Sequence, residues 1–99
     1  MSWRVASVHP LPGYILEVEF LDGLKGIVDL SERVIDKNAG IFSKLQNLDV
    51  FNQVYLEYGT VTWPGEIDLA PDAMYDEIRK NGKWILRRIQ LGSVYNSLG

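Results

Sequence analysis

Hydrophobic and polar positions change period several times along this chain, and each change predicts an element. From residue 14 to 20 the order Tyr-Ile-Leu-Glu-Val-Glu-Phe puts Tyr14, Leu16, Val18 and Phe20 on one side and Ile15, Glu17 and Glu19 on the other. A period of two is that of a half-buried antiparallel strand. Asp22-Gly23 follows, and because glycine tolerates positive φ the pair predicts a tight hairpin with residues 24–30 as the return strand. Upstream, Trp3, Val5, Ser7 and His9 alternate with Arg4, Ala6 and Val8, which predicts a strand closed by His9-Pro10. Gly26, within the return strand, predicts a bulge.

Beyond residue 30 the spacing turns helical. Ser31 reads as the N-cap of a turn over residues 32–35, ended by Gly40. Apolar groups at Ile41, Phe42, Leu45 and Leu48 predict short helices, with Asp49 capping a further turn. The β-branched and aromatic runs 54–58 and 60–63 flank Gly59 and predict a second hairpin, closed by Trp63-Pro64-Gly65. Pro71 then opens a helix over 71–81. Asp72, Asp76 and Glu77 lie toward its positive end and Arg79 and Lys80 toward its negative end, Met74, Tyr75 and Ile78 form its apolar stripe, and Asn81-Gly82 stops it. The predicted fold is α+β: two antiparallel β-hairpins plus an N-terminal strand in one sheet, with short helices packed on one face. Residues 1–82 form a single α+β domain, and 83–99 a basic, apolar C-terminal extension suited to an oligomer contact.

Composition narrows this picture. Ninety-nine residues leave room for one domain, and a hydrophobic content of 46% marks it as globular. With no cysteine, thiol catalysis, disulfides and Cys-based metal centres are excluded. The start lacks a charged segment followed by an apolar one, and no apolar run reaches the roughly 20 residues that span a bilayer, which predicts a cytoplasmic protein with no membrane partner. The net charge of −3 conceals a division: Arg79, Lys80, Lys83, Arg87 and Arg88 are followed and separated by no acid, so the preceding stretch holds five bases against all thirteen acids. An acidic body therefore carries a basic tail.

Few side chains offer chemistry. Glu66, Asp68 and Asp72 after Trp63 suit a hard cation or acid–base work with the indole as a stacking platform, but they equally suit turn and helix-dipole roles around a core tryptophan, and the structural role is favoured. A carboxylate set of Asp29, Glu66 and Asp68 is the corresponding enzymatic alternative. His9 is the single histidine and has no nucleophile at a telling spacing. Neither a phosphate-binding loop nor a GxGxxG pattern occurs. The expectation is a protein with no catalytic residue, no metal ligand and no cofactor. Trp84, Arg87 and Arg88 are the candidate partner-binding residues, for a protein partner or a second copy in a homodimer, and less readily for nucleic acid through phosphate contacts and stacking.

Taken in order, Phe20-Leu21-Asp22-Gly23, Val28-Asp29-Leu30, Phe42-Ser43-Lys44-Leu45 with Phe51, Gly59-Thr60-Val61-Thr62-Trp63-Pro64, and Ile67-Asp68-Leu69-Ala70-Pro71 through Tyr75 resemble the bacterial domain-of-unknown-function family numbered twenty-four forty-two. The resemblance runs from about Val5 to about Tyr75. Its signature positions are Asp22, Gly23, Asp29, Trp63, Pro64, Asp68, Pro71 and Tyr75, to which no catalytic role is attached. It implies a small α+β protein without established activity, in a family where some relatives carry an added helix-turn-helix and many lie beside another small gene. That arrangement implies a toxin–antitoxin-like or regulatory pair. Too few residues follow Gly82 for the added DNA-binding unit.

Overall fold

The computed structural model describes residues 3–87. Within them, seven strands and three α-helices run in the order β1 (Val5–Leu11), β2 (Ile15–Phe20), β3 (Lys25–Asp29), α1 (Ser31–Val34), a 3₁₀ helix (Gly40–Gln46), α2 (Leu48–Phe51), β4 (Tyr55–Glu57), β5 (Thr60–Trp63), β6 (Ile67–Asp68), α3 (Pro71–Asn81) and β7 (Lys83–Ile85). The α+β class predicted from the sequence is the one observed. The hairpins do not share a sheet: one sheet has the order β1-β2-β3-β7 and a second the order β4-β5-β6. Leu16, Val18, Phe20 and Val28 of the first sheet and Val61, Trp63 and Ile67 of the second enter one buried cluster with Met74 and Ile78 of α3.

The strand β2 follows its alternation, with Leu16, Val18 and Phe20 buried. In β1 the expected faces hold only in part. Val5 pairs with Phe20 and Ser7 with Glu19, so the register slips at Ala6. The extra residue turns both Val5 and Val8 to the core although their parity differs. The strand also continues through His9-Pro10 to Leu11 rather than stopping there. Proline is tolerated because β1 lies at the sheet edge in this sheet.

Gly26 is a correction of a different kind. It sits in regular register opposite Val18, with no bulge. A Cβ there would lie 2.4 Å from Ile78 Cγ2 and 2.9 Å from the Gly82 carbonyl oxygen, so the missing side chain is what lets α3 rest on β3. Three helix starts also differ from expectation. The Ser31 side chain does not cap α1; Asp29 Oδ1 accepts from the Ser31 N–H at 2.9 Å and its hydroxyl at 2.7 Å. Gly40 opens the 3₁₀ helix instead of ending a helix. Asn47, not Asp49, caps α2, accepting from the Asp49 N–H at 2.9 Å.

The second hairpin is confirmed, with a two-residue turn in which Tyr58 and Gly59 both have positive φ, 51° and 81°. This is the type I′ geometry that matches strand twist. Pro64-Gly65-Glu66 is itself a hairpin loop, because Trp63 pairs with Ile67 and brings in β6, a strand too short for a period to reveal. The helix α3 has the predicted bounds, with Pro71 in its first turn and Gly82 at φ 77° donating its N–H to the Ile78 oxygen at 2.7 Å. Past it, β7 pairs parallel to β3, placing Trp84 beside Val28, so the sheet extends beyond Gly82. Among the described residues no helix is long and apolar enough to cross a membrane.

Candidate functional site

Two groups of signature residues are built into the scaffold. The Trp63 indole is fully buried and donates from Nε1 to the Phe51 carbonyl at 2.8 Å, with the two rings 5.9 Å apart. It is core and offers no face for stacking. Asp29 gives its side chain to the start of α1 and its carbonyl to the Leu86 N–H at 2.9 Å. The Asp29 carboxylate thus ends β3 and starts α1, while its backbone anchors β7.

The remaining carboxylates do not converge. Asp72 Oδ1 accepts from the neighbouring Ala73 N–H, and Asp68 and Glu66 are exposed at the β6 hairpin. Among the described residues no group of three or more histidine, aspartate or glutamate side chains stands close enough to hold a metal ion. His9 lies exposed on β1, opposite Glu17, in a shallow groove of about 340 Å³ on the outer face of the first sheet, near Glu19 and Lys25.

Asp22, Gly23 and Tyr75 come together at the turn between β2 and β3. Gly23 donates its N–H to the Phe20 oxygen, Leu24 donates to Asp22 Oδ1 at 3.0 Å, and the Tyr75 hydroxyl donates to Asp22 Oδ2 at 2.5 Å. The Tyr75 hydrogen bond, followed by that of the Leu24 N–H, holds the Asp22 carboxyl below its ordinary value. Tyr75 also stands edge-on to Phe20 at 5.0 Å, so this polar clasp ties α3 over the hairpin tip. Nearby, Arg4 joins the two sheets: its oxygen accepts from the Leu21 N–H, and its Nη2 donates to the Tyr58 oxygen at 3.1 Å.

The candidate partner-binding residues lie at the other side of the first sheet. A groove of about 660 Å³ runs along β7, lined by three cations, Arg33, Lys83 and Arg87, and by the carboxylate of Glu77, with a second carboxylate, Glu32, beside Arg87. Glu77 is occupied by a hydrogen bond from Asn81 at 2.9 Å. Trp84 is half-buried on the core side. Arg87 stands 3.6 Å from Glu32, both partners well exposed, a pair worth only ~0–1 kcal/mol and free to rearrange. Arg33 donates from Nε to the Arg87 carbonyl at 3.1 Å and lies over the Phe42 ring at 5.4 Å. Arg88 lies outside the described residues. Sequence alone does not single out Arg33, since a lone arginine in a short helical turn carries no signal; only the parallel pairing of β7 with β3 brings it beside Arg87.

Two sheets closed over one core, an 11-residue helix seated on a glycine, and signature positions spent on holding turns define a small two-sheet α+β domain. Residues 5–80 match the family described as proteins of unknown function, DUF2442, and the chain belongs to that family. No curated protein and no solved structure gives a match.

Proposed function

We propose that this DUF2442 domain is a non-enzymatic protein-binding module, the regulatory, antitoxin-like member of a pair of small cytoplasmic proteins, and that it engages its partner along β7. The observation that supports this most is the groove lined by Arg33, Lys83, Trp84 and Arg87 along β7, which among the described residues is an edge strand of its sheet. Arginine and tryptophan are the residue types that most often anchor protein interfaces. Full-length chain purified from its native host should carry a second protein at stoichiometric yield. A chain that elutes alone from a lysate in which the neighbouring genes are expressed would refute the reading.

A second reading, a weak nucleic-acid-binding regulator, rests on the same three cations placed beside an indole. It predicts that replacing Lys83 and Arg87 lowers the slope of log affinity against log salt by about two, close to one for each phosphate no longer neutralised. Absence of oligonucleotide binding at low salt would exclude it.

A further inference from the structure

We infer that the edge of β7 accepts an extended, acidic segment of the partner as an added strand. This rests on the protein-binding reading above and specifies the chemistry that the partner brings.

The argument starts from backbone parity. Leu86 donates its N–H to the Asp29 oxygen, and backbone groups along a strand point alternately to one neighbour and the other. Trp84 and Leu86 therefore turn theirs toward β3, and Lys83 and Ile85 turn theirs outward. Among the described residues no strand pairs on that side and no backbone hydrogen bond reaches those groups. At Arg87, the next outward position, the carbonyl is taken by Arg33 Nε. The open edge is thus bounded by a guanidinium at one end and by the turn at Gly82, where α3 finishes, at the other.

Unpaired strand edges recruit extended chains, with affinity from main-chain hydrogen bonds and selectivity from the side chains alongside. Here three cations, Lys83, Arg33 and Arg87, outnumber the two nearby carboxylates, Glu77 and Glu32, and the exposed Arg87–Glu32 pair at 3.6 Å is weak enough to be exchanged for a carboxylate of the incoming strand. An added strand bearing carboxylates at alternate positions would meet Lys83, Arg33 and Arg87 while its backbone meets Lys83 and Ile85. A second copy of this chain suits the edge poorly. Isologous pairing of β7 with β7 would bring the same cations face to face.

A fluorescent synthetic peptide of about ten residues alternating glutamate and valine tests this by anisotropy on the full chain. Saturable binding is expected. N-methylating one alternate set of its amides should weaken binding about tenfold or more, and methylating the other set should not, since only one set faces β7. A lysine–valine peptide should not compete. Lys83→Glu and Arg87→Glu, both at exposed positions, should each weaken binding about tenfold. The inference is overturned if no saturable binding is seen, if both methylated peptides bind like the parent, if the charge-reversed peptide or single-stranded DNA of equal charge binds as well, or if the two variants bind unchanged. The two levels fail separately: a host partner that co-purifies undiminished with a Lys83→Glu/Arg87→Glu chain removes strand addition and leaves the module, whereas no partner with any chain removes the module.

Discussion

Replacing Gly26 with alanine adds one methyl group where α3 crosses β3, and the outcome follows from three distances. The new Cβ would stand 2.4 Å from Ile78 Cγ2, 3.0 Å from Ile78 Cδ1 and 2.9 Å from the Gly82 carbonyl oxygen. Carbon atoms in contact prefer about 3.5–4.0 Å, so Ile78 must retreat by roughly 1 Å or more. Rotating Ile78 does not relieve the contact with Gly82, because that oxygen belongs to the backbone that ends α3. Overpacking of this kind costs about 1–3 kcal/mol. The opposing gain, removal of glycine's extra freedom in the unfolded chain, is about 0.4–1 kcal/mol. The net expectation for Gly26→Ala is a loss of roughly 1–2 kcal/mol. In urea the midpoint should fall with an unchanged slope, and the melting temperature should drop by about 4–8 °C per kcal/mol in a domain of this size. Adding Ile78→Ala should cost less in the Gly26→Ala background than alone, because the inserted methyl occupies part of the vacated space. A Gly26→Ala chain at least as stable as the parent, or strictly additive effects in the double variant, would refute the packing argument and restore the bulge expected from sequence.

Trp63→Phe removes the Nε1–H that donates to the Phe51 carbonyl, which keeps a second, longer bond from the Val54 N–H at 3.3 Å; the loss of the one hydrogen bond should destabilise by about 0.5–1.5 kcal/mol, with packing loss on top, measured by urea unfolding. Tyr58→Asn should stabilise by roughly 0.5–1 kcal/mol in a thermal scan: position 58 has φ 51°, which asparagine adopts more readily, and the tyrosine side chain is 85% exposed, so little packing is given up. Tyr75→Phe removes the hydroxyl that depresses Asp22, so the Asp22 carboxyl resonance should titrate at higher pH than in the parent. A depressed folded-state pKa contributes stability that is present above the unfolded value of 3.8 and is lost as pH falls through the folded one; the variant should therefore show a shallower loss of stability below that pH. Equal titration of Asp22 in the two chains would show that the hydroxyl is not the cause.

The features legible in the residue order are local ones. Tight alternation fixes β2 because a one-residue slip would expose Leu16, Val18 and Phe20 together. Proline in the first turn and glycine after the last bound α3, since one presets φ and the other reaches the left-handed region at 77°. Tyr58-Gly59 closes its hairpin for the same local reason. The candidate site was legible in part: Trp84 and Arg87 do line the β7 groove, but Arg33, which ends the open edge, was invisible. Folding settled whatever depends on partners distant in the chain. The division into two sheets, the bulge that reconciles Val5 with Val8, the parallel docking of β7 on β3 and the Asp22–Tyr75 clasp 53 residues apart all rest on contacts that carry no period. Gly26 shows the physical reason: an absent side chain looks the same in sequence whether it frees a turn or makes room for a helix, and only the arrival of Ile78 tells which.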